Sequence, residues 1–133
     1  MKRVYQFLKE CGTYYLATTD GNQPRVRPFG TVDIFDGRLC FQTGKSKEVS
    51  KQIHTNPKIE ICACNAAGNR WIRIAGSAFE ETRQDAQVQM LNAYPELKRL
   101  YQPGDGNTEI FYLVNAEAVI YSFTEKPVTI QFG

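Results

Sequence analysis

Apolar residues open the chain at helical spacing. Val4, Phe7, Leu8 and Cys11 fall at i, i+3, i+4 and i+7, which predicts a helix over residues 2–11, stopped by Gly12. The period then changes. Residues 13–43, TYYLATTDGNQPRVRPFGTVDIFDGRLCFQT, read as three strands; Asp20-Gly21 begins the first connection, and Asp36-Gly37 makes a tight hairpin between the second and third. Helical spacing returns over residues 47–54, where Val49 and Ile53 share a face, and Asn56-Pro57 ends it. KIEICACN is a fourth strand, AAGNR a turn, and WIRIAGSAFEE a fifth strand in which Gly76 marks a bend. Residues 82–94 predict another amphipathic helix with Val88, Met90 and Leu91 facing inward, and PELKRLY extends it by a turn or two. After the loop QPGDGN, EIFYLVNAEAVIYSF is a sixth strand bent at Asn115-Ala116, and PVTIQF is a short terminal strand.

Many short strands joined mostly by hairpins predict a mainly β fold, a small antiparallel barrel with a few flanking helices. Regular βα alternation is missing, which excludes a doubly wound parallel sheet. The 133 residues, 42% of them hydrophobic and 23% charged, suit one domain over residues 1–133 with a packed core. A net charge of +2 gives no bulk electrostatic reason to bind nucleic acid or a membrane. No apolar run approaches the ~20 residues of a membrane span. MKRVYQFLKECG is too polar for the apolar region of a signal peptide, so a cytoplasmic location is expected. Cys11, Cys40, Cys62 and Cys64 then read as thiols in a reducing compartment. Cys62-x-Cys64 with the sole His54 lacks the paired spacing of a zinc site, so no metal is expected.

The stretch FQTGKSKEVSKQIHTNP changes the picture. Lys45, Lys47 and Lys51 crowd the start of the short helix, where the dipole already presents positive charge. Lys47 and Lys51, at i and i+4, also repel each other. The arrangement becomes favourable if an anion sits there, accepting from free N–H groups, from the Thr43 and Ser46 hydroxyls and from the ammoniums. A solvated basic face is the competing reading. Neither a Walker loop nor G-x-G-x-x-G is present. Arg25 and Arg27, two apart in a strand, point to one face, and Pro28 removes a ladder donor beside them. With Asp36-Gly37 as pivot, the hairpin is expected to lay Arg27 and Phe29 beside Gln42 and Thr43. Surface ion pairing is the competing reading for these arginines.

RPFGTVDIFDGRLCFQTGKSKEVSKQIHTNP resembles the flavin-binding core of the pyridoxamine 5'-phosphate oxidase-like family. The shared pattern is a strand arginine, a hairpin, an aromatic-x-Thr strand end, a basic helix start and a closing Asn-Pro. Here these are Arg27, Phe41-Gln42-Thr43, Ser46-Lys47 and Asn56-Pro57, followed by RWIRIAG at residues 70–76. The resemblance implies an antiparallel split β-barrel that binds flavin mononucleotide (FMN), usually as a homodimer. By position, Arg27 and Lys47 would hold the phosphate, with Thr43 and Ser46 donating hydroxyls and Arg25, Lys45 and Lys51 as neighbouring cations. Pro28, Phe29, Gly30 and Gln42 would line the isoalloxazine or ribityl chain, and Trp71 falls at a flavin-contacting position. The lysine that meets the phosphate stays open among Lys45, Lys47 and Lys51.

A small barrel fills its own interior, so the flavin would lie outside it, where a second subunit can cover the ring. The tail TEKPVTIQFG lacks the tryptophan and arginines of the true oxidase, so pyridoxamine phosphate oxidation is not expected. A reductase-like member acting on a small substrate, with NADH or NADPH as donor, fits better. The alternatives are a non-catalytic flavin-binding stress or redox-sensing protein, or a split barrel that binds haem or a deazaflavin. His54 reads as a histidine at a helix C-terminus, and no acid–base residue is evident.

Overall fold

A computed structural model describes all residues, 1–133. Helix α1 (Lys2–Cys11) is followed by strands β1 (Tyr14–Asp20), β2 (Gln23–Phe29), β3 (Asp33–Phe35) and β4 (Arg38–Gly44). Helix α2 (Glu48–Thr55) leads to β5 (Lys58–Cys64) and β6 (Arg70–Glu81). Helix α3 (Gln84–Ala93), a 3-10 turn (Pro95–Arg99), β7 (Thr108–Ser122) and β8 (Val128–Phe132) complete the chain. The strands form one antiparallel sheet in the order β2-β1-β5-β6-β7-β4-β3, with β8 on β7. This is the expected mainly β split barrel with flanking helices.

Local chemistry explains the turns. Asp36 and Gly37 both take left-handed backbone angles, φ 52° and 72°, between the paired residues Phe35 and Arg38. A two-residue Asp-Gly hairpin turn requires this, and its twist matches the strands. The expected bends in the two long strands are a single feature. Between the pairs Ala75↔Glu117 and Ser77↔Val114, Gly76 faces both Asn115 and Ala116, and Asn115 has φ 50°. A Cβ on Gly76 would meet the Ala116 backbone at 3.1 Å, closer than side chains ordinarily pack, so the bulge favours glycine there.

The strand between Asp20-Gly21 and Asp36-Gly37 departs from expectation. It is two strands. β2 pairs along its whole length with β1, whereas β3 pairs with β4, so Arg27 and Phe29 have no ladder contact with Gln42 and Thr43. Pro28 lacks an N–H, and the chain leaves the sheet through Gly30–Val32. Side chains bridge this gap. The Gln42 N–H donates to Thr31 Oγ1 at 3.0 Å, and Tyr14 Oη donates to the Thr31 carbonyl at 2.7 Å. The Tyr94 hydroxyl accepts from Val32 N–H and donates to its carbonyl, both at 3.1 Å.

The barrel interior is filled by a cluster of 20 buried residues, including Leu16, Phe41, Ile61, Ile72, Ile74 and Phe111. Helices α1 and α2 add Val4, Leu8, Val49 and Ile53 to it. Helix α3 packs on the outer side, where Ala86 and Met90 meet Cys40 and Ile110. Val88 is 40% exposed, so it does not face inward as its spacing suggested; Ala86, Met90 and Leu91 do. Val88 is two positions from both Ala86 and Met90, which at 3.6 residues per turn sets it about 200° round the helix from each, on the solvent side. No helix is long and apolar enough to cross a membrane.

Candidate functional site

The split between β2 and β3 opens into a cleft of about 330 Å³. One lip is Arg27 to Thr31, the other is Gln42, Thr43, Lys47 and Val49. Tyr94, Leu97, Leu100 and Tyr101, from the end of α3 and the 3-10 turn, form a third wall with Glu96. Arg27, Pro28, Phe29, Gly30, Gln42, Thr43 and Lys47 therefore meet at one place, brought together by closure of the sheet rather than by a hairpin.

Arg27 is fixed before any ligand arrives. Its Nη1 donates to Thr18 Oγ1 at 2.7 Å and to the Leu16 carbonyl at 3.3 Å, and its Nη2 donates to Gln52 Oε1 at 2.6 Å. Thr18 Oγ1 also donates to Gln52 Oε1 at 2.5 Å. The network locks the guanidinium to α2 and leaves its Nε–H and second Nη2 hydrogen without a protein partner. Burial, and then the nearby Arg25, lower the Arg27 pKa from its ordinary value. An anion in the cleft would reverse that penalty.

The three lysines separate clearly. Lys45 is ion-paired to Glu80 at 3.3 Å and Lys51 to Glu48 at 3.1 Å, outside the cleft. Lys47 lines the cleft, has no salt-bridge partner and is the N-cap of α2, with no side chain capping the helix. The helix thus starts at Glu48, one position later than its spacing predicted. Its free N–H groups and the Lys47 ammonium are left for an outside acceptor.

The other expected residues lie elsewhere. Arg25 is exposed and pairs with Asp20 at 3.2 Å. Ser46 is exposed, and its N–H donates to Asn107 Oδ1 at 3.0 Å. Trp71 stacks on Tyr121 with centroids 5.5 Å apart, away from the cleft lining. Sequence reasoning missed Thr18, Gln52 and the tyrosine wall. Gln52 had a signal: it lies three residues after Val49, on the apolar stripe, where a polar side chain needs a buried partner.

The loop after the 3-10 turn braces the helix start. The Asn107 carbonyl accepts from Lys45 N–H at 2.8 Å, and the loop is held by Asp105, which accepts from Thr108 N–H at 2.6 Å and from Gln102 N–H at 3.0 Å. These bonds, Thr108 first, pull the Asp105 carboxyl well below the usual carboxylate range. A depressed folded-state pKa contributes stability above the unfolded value of about 3.9, lost as pH falls through the folded value. Asp105→Asn is therefore expected to lower Tm at neutral pH, with the gap to wild type narrowing below about pH 4. Thermal melts across pH check this; a gap that stays constant into strong acid would refute it.

The sequence profile of the family described as Pyridoxamine 5'-phosphate oxidase matches residues 1–121. A NimC/NimA family protein from Clostridium acetobutylicum has 41% identity, covering 99% of this chain and 92% of that one, with a TM-score of 0.96. A protein related to general stress protein 26, also from Clostridium acetobutylicum, shares the fold at 13% identity and TM-score 0.74, over 98% and 92% of the two chains. A heme binding protein from Mycobacterium smegmatis shares it at 14% identity and TM-score 0.73, over 92% of this chain and 53% of its own. No curated protein matches the chain. With the profile spanning nearly its whole length, the chain belongs to the pyridoxamine 5'-phosphate oxidase-like family.

Proposed function

We propose that the cleft binds FMN and that the loaded protein reduces a small substrate. The observation that carries this reading is the unpaired Lys47 at an uncapped helix start, facing the same cleft as the prearranged Arg27. Together with the Thr43 hydroxyl they suit a phosphate dianion. The cleft volume of about 330 Å³ is at the small end of ligand pockets, which suits a cofactor only partly enclosed. Phe29, Tyr94, Leu97 and Leu100 offer aromatic and aliphatic surface for a planar ring. When bound, FMN supplies hydride and electron transfer that these side chains lack. The residues' own tasks are to bind the phosphate, orient the ring and shield one side of it from water.

A homodimer follows from the same reading. The barrel interior is full, the cleft lies outside it, and a second copy is needed to cover the exposed ring. Trp71 lies away from its own chain's cleft, so any contact with the flavin would have to come from the second copy. Haem is the weaker reading, because no histidine or cysteine lines the cleft to ligate iron, and of the two tyrosines there the Tyr94 hydroxyl is already committed to Val32, which leaves Tyr101 as the one candidate ligand.

The test is spectroscopic. Purified protein, as isolated or after addition of FMN, is expected to show flavin absorbance and one FMN per chain. Colourless protein that does not take up FMN overturns the reading, and a Soret band would replace it with haem. Anaerobic mixing with NADH or NADPH then separates an enzyme, whose flavin is bleached and reoxidised by substrate, from a sensor that binds without turnover. Light scattering tests the dimer.

A further inference from the structure

On the far side of α2 from Arg27, two carboxylates converge on one imidazole nitrogen. The Glu109 side chain has no solvent exposure; its Oε1 accepts from Ser50 Oγ at 2.5 Å, and its Oε2 lies 2.7 Å from His54 Nε2. Glu80 gives its Oε2 to Lys45 Nζ at 3.3 Å, and its Oε1 faces the same His54 Nε2 at 3.7 Å. The donor atoms from α2, β6 and β7 all lie within 4.8 Å of one another. One imidazole N–H can serve only one of the two carboxylates. The fully buried Glu109 meets a hydroxyl on one oxygen and only the shared ring nitrogen on the other.

We propose that His54 Nε2, Glu80 Oε1 and Glu109 Oε2 form a site for one divalent transition-metal ion of the zinc type. Metal–ligand bonds of ~2.1 Å place neighbouring donors ~3.0–3.4 Å apart. The observed 2.7 and 3.7 Å bracket that range, and the two carboxylate oxygens lie within 4.8 Å of each other, so the Glu80 side chain, the more exposed of the two, must draw in on the ion to complete the site. Each carboxylate already has its other oxygen held by an outer partner, Ser50 for Glu109 and Lys45 for Glu80, as ligating carboxylates characteristically do. An imidazole with two carboxylates favours zinc or cobalt over magnesium or calcium, which prefer all-oxygen sets. A pocket of about 110 Å³ beside the site, walled by Ile53, Pro57, Ala78, Phe79 and Phe111, has room for a water as fourth ligand. Binding takes the Nε2 lone pair, so the ring proton resides on Nδ1 in the loaded form. The ion would tie α2, which carries Lys47, to β6 and β7.

The test uses full-length protein stripped with a chelator. Cys62 and Cys64 are exposed neighbours on one strand face and offer a rival thiolate site, so both are first replaced by serine. Cobalt titration followed by visible absorbance, with zinc competition, is expected to give one ion per chain. His54→Ala and Glu80→Gln, both outside the core, are each expected to weaken binding at least ~10-fold, whereas Glu10→Gln on α1 leaves it unchanged. Zinc should also raise Tm of the serine background but not of the His54→Ala variant. No saturable binding, or binding that His54→Ala leaves intact, means an adventitious ion only and overturns the proposal. The readout requires no flavin, so its outcome is independent of the cofactor assignment.

Discussion

Lys47→Glu is expected to weaken FMN binding by at least ~100-fold, or about 2.7 kcal/mol. The substitution removes a cation and adds an anion at the cap of α2, beside the expected phosphate position. A unit charge ~4 Å from another is worth ~4 kcal/mol at an effective dielectric of about 20, and the solvent exposure of Lys47 reduces that. Lys98→Glu is the control. Lys98 lies exposed on the 3-10 turn, its ammonium donates to Asn92 Oδ1 on α3, and it does not line the cleft. Fluorescence titration should show a change below ~3-fold there, because an exposed charge outside the cleft lining is screened by solvent and salt. Equal losses in the two variants would remove the phosphate from the α2 start. Lys45→Glu is informative in addition: Lys45 is already paired with Glu80, so its reversal should weaken FMN much less than reversal of Lys47.

Phe111→Ala is expected to destabilise the protein by ~3–5 kcal/mol, a large part of the 5–15 kcal/mol typical of a domain. Phe111 has no exposure, stacks on Phe41 with centroids 5.5 Å apart, and lies 5.5 Å from the His54 ring. Truncation leaves a cavity that β4 and β7 cannot close, because they are paired to each other there through Phe41↔Phe111. Phe41 in turn packs edge-on against Phe29 of the cleft, so FMN affinity should fall as well. Phe111→Leu preserves most of the volume and should cost less than ~1.5 kcal/mol. Urea unfolding measures both; a loss under ~1.5 kcal/mol for the alanine variant would mean that this ring is not central to the core.

The two results address separate layers of one construction. Phe29, Phe41 and Phe111 link the cleft to the barrel interior, and Gln52 links Arg27 to the helix that presents Lys47. A cofactor phosphate at that helix would therefore be gripped by groups that the core and a buried polar network hold still. Little reorganisation then remains to oppose binding.

The sequence by itself determined the features set by neighbours in the chain. Helix α1 followed from a four-residue apolar stripe, the Asp36-Gly37 hairpin from residues that accept left-handed backbone angles, and two separate bends from Gly76 and from Asn115-Ala116, which the pairing of β6 with β7 then joined into one bulge. The basic cluster and its order resembled a flavin-binding core, and the mainly β split barrel followed. Tertiary structure decided the rest. It divided one expected strand into β2 and β3, because β1 and β4 offered better partners on opposite sides of the split. It drew Lys45 to Glu80, while Lys51 pairs with Glu48 on its own helix and Lys47 stays free, and it set Trp71 on Tyr121 and turned Val88 outward. It also joined Arg27 to Gln52 across 25 positions and His54 to Glu109 across 55. Periodicity and turn chemistry act over a few residues and can be read along the chain. Closure of a sheet pairs residues dozens of positions apart, and only that closure fixes which charges meet.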